Sequence, residues 1–209
     1  MADRKYPIIT ISREYASGGT SVAKEISEKL GIPYYDRDFV RETASKSGYS
    51  IEDIEREGEE LSTISKIMND FLNNVTIYKS SHDAIFLAQV ETILRLAEHD
   101  CIIIGRCANL ILREAGIPSI DVFLHADILK RTSRALELNT YGDDDLRRYI
   151  EKRDERRATY YKTYTGHILG DYHDYDISLD TGVLGYHTSA DIIIDLVQNR
   201  SLQLRSSKS

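Results

Sequence analysis

Four short apolar runs rich in β-branched residues set the architecture: PIITIS (7–12), DCIIIG (100–105), SIDVFLHAD (119–127) and YDISLDTG (175–182). A weaker fifth is IPYYD (32–36). Each run ends on polar or glycine positions, as strands buried on both faces of a parallel sheet do. Helical patterns lie between them. SVAKEISEKLG places Val22, Ile26, Lys29 and Leu30 at near-helical spacing and stops at Gly31, a natural C-terminal cap. SHDAIFLAQVETILRLAEH gives about five turns, RDFVRETASKSG behaves similarly, and 126–138 and 188–200 supply two more helices. Strands alternating with helices predict a three-layer α/β domain, with a parallel sheet, helices on both faces and right-handed crossovers.

With 209 residues, 41% of them hydrophobic, the chain can bury one sizeable core, so one domain over 1–200 is expected. A stretch rich in Glu, Ser and Asn interrupts the alternation after the second strand and reads as a helical insertion at about 37–80; residues 201–209 read as a frayed tail. The net charge of -7 argues against a nucleic-acid polymer as partner but leaves room for a local basic patch around a small anion. Two cysteines, Cys101 and Cys107, flank an apolar run and form no disulfide framework, which suits a reducing cytoplasm. No stretch approaches the roughly 18 apolar residues of a membrane span, so no membrane partner is expected.

Residues 10–24, TISREYASGGTSVAK, place a strand end, a glycine turn and a helix start in succession. Backbone N–H groups and the helix dipole converge at such a turn and favour an anion. Gly18 and Gly19 allow close backbone approach, while Thr20 and Ser21 put hydroxyls in the first helical turn, where Thr20 could ligate Mg²⁺. The segment matches only the end of the phosphate-loop pattern G-x-x-x-x-G-K-[ST]: Arg13 stands at the first glycine position and Gly19 at the lysine position. Two readings stay open, a variant phosphate loop in which Arg13 or another basic residue supplies the charge, and a tight strand-to-helix turn with a good N-cap.

Segment 147–164, RRYIEKRDERRATYYKTY, is the most unusual in composition. On a helix turning about 100° per residue, Tyr149, Arg153, Arg156, Arg157, Tyr160 and Tyr164 share one broad face, and Glu151, Glu155 and Lys162 point away. Neither side carries the aliphatic stripe of a helix packed on a core. A charged ligand closing beneath a lid at about 140–170 would give it a partner. The six histidines show no metal-ligand pairing on a defined helix face and read as surface or capping residues.

ISREYASGG, VAKEISEKLGIPYYD, IIIGRCANLIL, RDERRATYYKTYTG and YDISLDTG, in that order over roughly 8–200, resemble the cytidylate kinase-like family, divergent relatives of bacterial cytidylate kinases. The resemblance implies a P-loop kinase fold with a five-stranded parallel sheet, an ATP site at the first loop, an acceptor site across the cleft and an arginine-bearing lid. It implies ATP-dependent phosphoryl transfer, with Mg²⁺, to a small phosphate-bearing acceptor, most simply a nucleoside monophosphate. Two alternatives are a nucleotide-binding or regulatory protein that lost catalysis and a kinase of a non-nucleotide metabolite.

On this reading Ser17, Gly18, Gly19, Thr20 and Ser21 cradle the nucleotide; Arg13, Arg153 and Arg157 are catalytic; Asp36, Arg41, Arg106, Arg153 and Tyr160 face the acceptor. Where the cytidylate kinase lid pattern R-D-x-x-D-x-x-R has its later aspartate and arginine, this chain has Arg157 and Tyr160. Where the CMP-contacting segment D-S-G…Y-R falls, it has DRDFVRE (36–42). A phosphate-bearing acceptor therefore follows more directly than CMP. Self-association is left open. Asp180 and Thr181, past the last strand, receive no catalytic role.

Overall fold

A computed structural model describes residues 5–36, 38–39, 81–139 and 145–206. The expected insertion at about 37–80, with Arg41, lies almost wholly outside the described residues, as do 140–144 and 207–209. All five strands form: β1 Ile8–Arg13, β2 Tyr34–Tyr35, β3 Ile102–Ile104, β4 Ser119–His125 and β5 Ile177–Asp180. They pair in parallel in the order β2-β3-β1-β4-β5. Helices α1 Gly19–Leu30, α2 Ser81–Leu96, α3 Ala108–Glu114, α4 Ile128–Leu138, α5 Leu146–Thr165 and α6 Thr181–Ser206 follow or separate them. The three-layer α/β expectation is met.

Alternation along the central strands fills both layers. Ile9, Ile11, Ile102, Ile104, Ile120, Val122 and Leu124 meet Val22 and Ile26 of α1 and Ile193 and Val197 of α6. Ile8 and Ile103 point the other way, against Val90 and Ile93 of α2, Ile111 and Leu112 of α3, and Tyr161 of α5. Burying each of these aliphatic side chains contributes about 1.5–3 kcal/mol, so strand register is fixed by the core on both faces. The one buried carboxylate on a central strand, Asp121, accepts from Thr10 Oγ1 at 2.7 Å and Ser119 Oγ at 2.8 Å.

Gly31 caps α1 in the left-handed region at φ 68°, as its position predicts. The seven-residue α3 is not legible in the sequence, because ANLILRE is too short to show a helical period. The terminal helix breaks at Gly185 (φ 74°, ψ 167°) and otherwise runs to Ser206. Among the described residues no helix is long and apolar enough to cross a membrane.

Parallel strands in this order put the carboxyl ends of β1, β3 and β4 on one edge of the sheet. β1 has β3 on one side and β4 on the other, so the chain leaves the sheet in opposite directions there, the place where open α/β sheets bind ligands.

Candidate active site

At that edge β1 runs into Glu14–Gly18 and then α1. Ala16 (φ 61°) and Gly18 (φ 85°) take left-handed conformations that coil the loop. Ser17 is buried, and its hydroxyl donates to Glu14 C=O at 3.0 Å and Leu124 C=O at 3.1 Å. From the opposite side, Thr181 Oγ1 donates to Ser17 C=O at 2.7 Å and His125 C=O at 3.1 Å, tying the loop to β4 and α6. Thr181 begins α6 directly and is buried, so it supports the loop and does not face a ligand.

No side chain caps α1: its N-cap is Gly18, and the first turn carries no acidic residue. The first helical bond runs from Val22 N–H to Gly18 C=O at 3.0 Å, leaving the amides of Gly19, Thr20 and Ser21 ahead of the ladder. The reading of a turn with a good N-cap is thus corrected; the helix end lacks the carboxylate or hydroxyl that would compete with an external anion.

The arginine at the end of β1 packs against the glycine that stands at the lysine position of the pattern. A Cβ on Gly19 would sit 3.2 Å from Arg13 Cγ, and a Cβ on Gly105 would sit 2.2 Å from Arg13 Nη1. The side chain of Arg13 therefore lies in a channel that two glycines leave open, one from the loop and one from the end of β3.

Gly105, Arg106 and Cys107 all have positive φ, at 77°, 61° and 59°. Two consecutive non-glycine residues there cost about 1–2 kcal/mol each, and such strain collects where a backbone must aim a side chain at a ligand. Arg106 is held over the ring of Tyr160, 5.0 Å from its centroid. Its Nε is buried and has no acceptor among the described residues. An unpaired buried donor calls for a partner that a bound anion would supply. Tyr160 is fixed from below, its hydroxyl donating to buried Gln89 Oε1 at 2.7 Å.

Helix α5 crosses above. Its C-terminal half does pack on the body, but through aromatic residues: Tyr161 is buried, Tyr160 and Tyr164 pack beside it, and Tyr164 stacks on Phe86 at 4.1 Å. An aliphatic stripe is the wrong signal for this helix. Its N-terminal half reaches the first loop, where Asp154 Oδ1 accepts from the Tyr15 amide at 2.6 Å and its other oxygen pairs with Arg131. Arg131 also lies 3.4 Å from Glu14, which accepts from the Ala126 amide. Arg157 Nη1 donates to Arg13 C=O at 3.3 Å.

These elements enclose a cavity of about 390 Å³. Thr20 and five arginines, Arg13, Arg106, Arg153, Arg156 and Arg157, line it against two carboxylates, Asp36 and Asp38. In a chain of net charge -7 this is a strong local reversal of sign, a field that draws in anions. Burial pushes the Tyr160, Tyr161 and Cys107 groups well above their ordinary ionisation range. All three stay neutral at physiological pH, so Cys107 is no thiolate nucleophile. The cavity offers guanidinium groups and amides to hold and neutralise phosphate.

A family model, the cytidylate kinase-like family, matches residues 8–183. The chain belongs to the cytidylate kinase-like family. A cytidylate kinase of Thermoplasma volcanium is 26% identical over 196 residues, covering 92% of each chain. A solved structure from Eubacterium ventriosum, titled an uncharacterized protein, is 28% identical with a TM-score of 0.70 over 92% of this chain and 98% of that one. The shikimate kinase of Bacteroides thetaiotaomicron, 14% identical and covering 91% and 98%, shares the fold with a TM-score of 0.53. The fold is that of P-loop kinases, and family membership supports a kinase of a nucleotide or other small molecule.

Of the residues the family resemblance points to, Arg13, Thr20, Asp36, Arg106, Arg153, Arg157 and Tyr160 converge on the one cavity. Gly18 and Gly19 form the loop beside it, Ser21 accepts from Arg134 Nη2 at 3.2 Å, and Ser17 spends its hydroxyl inside the loop. Arg41 lies outside the described residues. Sequence reasoning missed Arg131, Arg134, Asp38 and Tyr186, whose ring covers Gly18 so closely that a Cβ there would be 2.1 Å away. Spacing carried no sign of Tyr186, which meets the loop across 168 positions only because α6 returns beside α1. His187 does meet two carboxylates, Glu25 and Asp191, with ligand atoms within 4.8 Å of one another. The Lys29 ammonium already bridges that pair, at 2.9 and 2.6 Å.

Proposed function

We propose that this chain transfers the terminal phosphoryl group of ATP to a small phosphate-bearing acceptor, a nucleoside monophosphate in the first instance. The observation that carries the reading is the cavity in which an uncapped helix N-terminus and Arg13 face four further arginines. Phosphoryl transfer passes through a loose, highly charged transition state and needs positioning and neutralisation more than a protein nucleophile. The amides at Gly18–Ser21 hold the polyphosphate. Arg13 supplies the charge that lysine gives elsewhere, from the other side of the loop. Arg106, on its strained turn, grips the acceptor phosphate, and Arg153 and Arg157 neutralise the group in flight from above. Asp36 orients the acceptor from the cleft wall.

The donor set fits Mg²⁺ arriving with the nucleotide: the Thr20 hydroxyl and the Asp36 and Asp38 carboxylates are hard oxygen ligands on the same cavity. Held by these oxygens, the ion would supply positive charge to neutralise the phosphates. The buried free thiols Cys101 and Cys107 suit a reducing, cytoplasmic setting.

The glycine at position 19 favours one competing reading, a nucleotide-binding regulator without turnover. ADP formation from Mg·ATP is measured against a panel of nucleoside monophosphates and then of non-nucleotide metabolites, alongside the melting temperature with ATP. Turnover with a monophosphate supports the proposal. Turnover only outside the nucleotide panel makes it a metabolite kinase, and an ATP-induced rise in melting temperature with no ADP from any acceptor favours the regulator.

A further inference from the structure

The phosphate loop places a bulky aromatic residue, Tyr15, where its backbone turns left-handed into Ala16. Three observations converge on that residue. The guanidinium carbons of Arg153 and Arg157, four residues apart on α5, lie over the one Tyr15 ring, at 5.5 and 5.3 Å from its centroid. Tyr149 meets the same ring edge-on at 5.6 Å and 79°, and its hydroxyl oxygen accepts from Arg153 Nε at 3.0 Å. The Tyr15 amide donates to Asp154 Oδ1 at 2.6 Å, between the two arginines in sequence.

Two like charges at i and i+4 repel on a free helix. Here the electron-rich face of one ring attracts both, the Asp154 carboxylate lies 3.9 Å from Arg157 Nη1 between them, and these contacts hold the two arginines above the cleft before any phosphate arrives. A guanidinium fixed in place does not have to be ordered when the phosphoryl group moves, which is the advantage of preorganisation.

We infer that Tyr15 is a positioning residue: its ring, acting through cation–π contacts from the phosphate loop, presets Arg153 and Arg157 over the transferring phosphate. This rests on the kinase reading above for its consequence in turnover, but the latch itself is readable without turnover.

The test compares Tyr15→Leu, Tyr15→Phe and a series of ring-fluorinated phenylalanines at position 15, which keep the shape while draining charge from the ring face. Turnover is measured with the acceptor found active, Mg·ATP affinity by calorimetry, and amide hydrogen exchange across 146–165 in the ligand-free protein. Tyr15→Leu is expected to lower kcat about tenfold, from two weakened cation–π contacts, with KM for ATP changed less than kcat. Tyr15→Phe should restore most of that loss, and added fluorines should lower kcat and exchange protection of 153–157 stepwise. Equal kcat for the phenylalanine and its trifluoro analogue would overturn the inference, as would a Tyr15→Phe loss as large as that of leucine, which would assign the role to the hydroxyl. Should the wild-type protein transfer no phosphoryl group at all, the kinase reading fails alone. Exchange protection then decides the latch, which stands if protection falls along the fluorinated series and fails if it does not move.

Discussion

Replacing Gly105 by alanine tests whether Arg13 has taken over the place of the missing lysine. The added Cβ would lie 2.2 Å from Arg13 Nη1 and 3.4 Å from its Cζ, so the guanidinium must move by more than 1 Å, roughly the gap to ordinary van der Waals contact. The backbone at 105 is left-handed, φ 77°, and alanine there costs about 1–2 kcal/mol of stability. For a chain of this size that is a fall in melting temperature of about 2–8 °C. Displacing a catalytic group by about 1 Å lowers kcat/KM on the order of a hundredfold. The two effects are separated by a double-mutant cycle with Arg13→Ala, using thermal unfolding and ADP release. Because Gly105→Ala acts on catalysis through Arg13, its catalytic penalty should vanish in the Arg13→Ala background while its stability penalty persists. Multiplicative losses of kcat/KM in the double variant would refute the reasoning, as would a Gly105→Ala enzyme of full activity.

Asp154→Asn should destabilise the protein by about 1–3 kcal/mol in urea unfolding, because it removes the charged acceptor of the Tyr15 amide and leaves Arg131, whose side chain is 11% exposed, with the Glu14 carboxylate and the Tyr15 carbonyl but without its α5 carboxylate. An unchanged urea midpoint would mean that α5 is not tethered through this carboxylate. Asp121→Asn addresses pH. Burial first, and the neighbouring Asp176 charge, push the Asp121 carboxyl above its ordinary value of 3.8, against the lowering bonds of Thr10 and Ser119 and the Arg113 charge. A raised acid contributes stability below its unfolded pKa and loses it as pH rises through the folded one. The stability of Asp121→Asn relative to wild type should therefore increase from pH 4 toward neutrality in denaturation curves; a constant difference would show that Asp121 titrates as it does in the unfolded chain.

The fold was legible because each buried strand writes a run of β-branched residues, and Gly31 marks the first helix end in the way its conformation demands. The short α3 and the strand-to-helix junction at Thr181 were not, since neither extends far enough to show a period. At the site, local chemistry was readable and long-range placement was not. Arg13 ends β1, Arg106 follows β3 and Thr20 lies in the first turn of α1 after the glycine turn, places the local pattern marks. The packing of α5 was misread for want of aliphatic residues, because Tyr160, Tyr161 and Tyr164 bury large apolar rings while their hydroxyls find partners. The path of the Arg13 side chain was visible only once Gly19 and Gly105, 86 residues apart, were seen to flank it.

Calorimetric titration with Mg·ATP of the wild-type protein and of Arg13→Ala bears most directly on that substitution of charge. The account predicts saturable binding by the wild type and affinity lower by about tenfold or more in the variant, the worth of one charge-assisted hydrogen bond. Equal affinity in the two proteins, or no heat with the wild type, would contradict it.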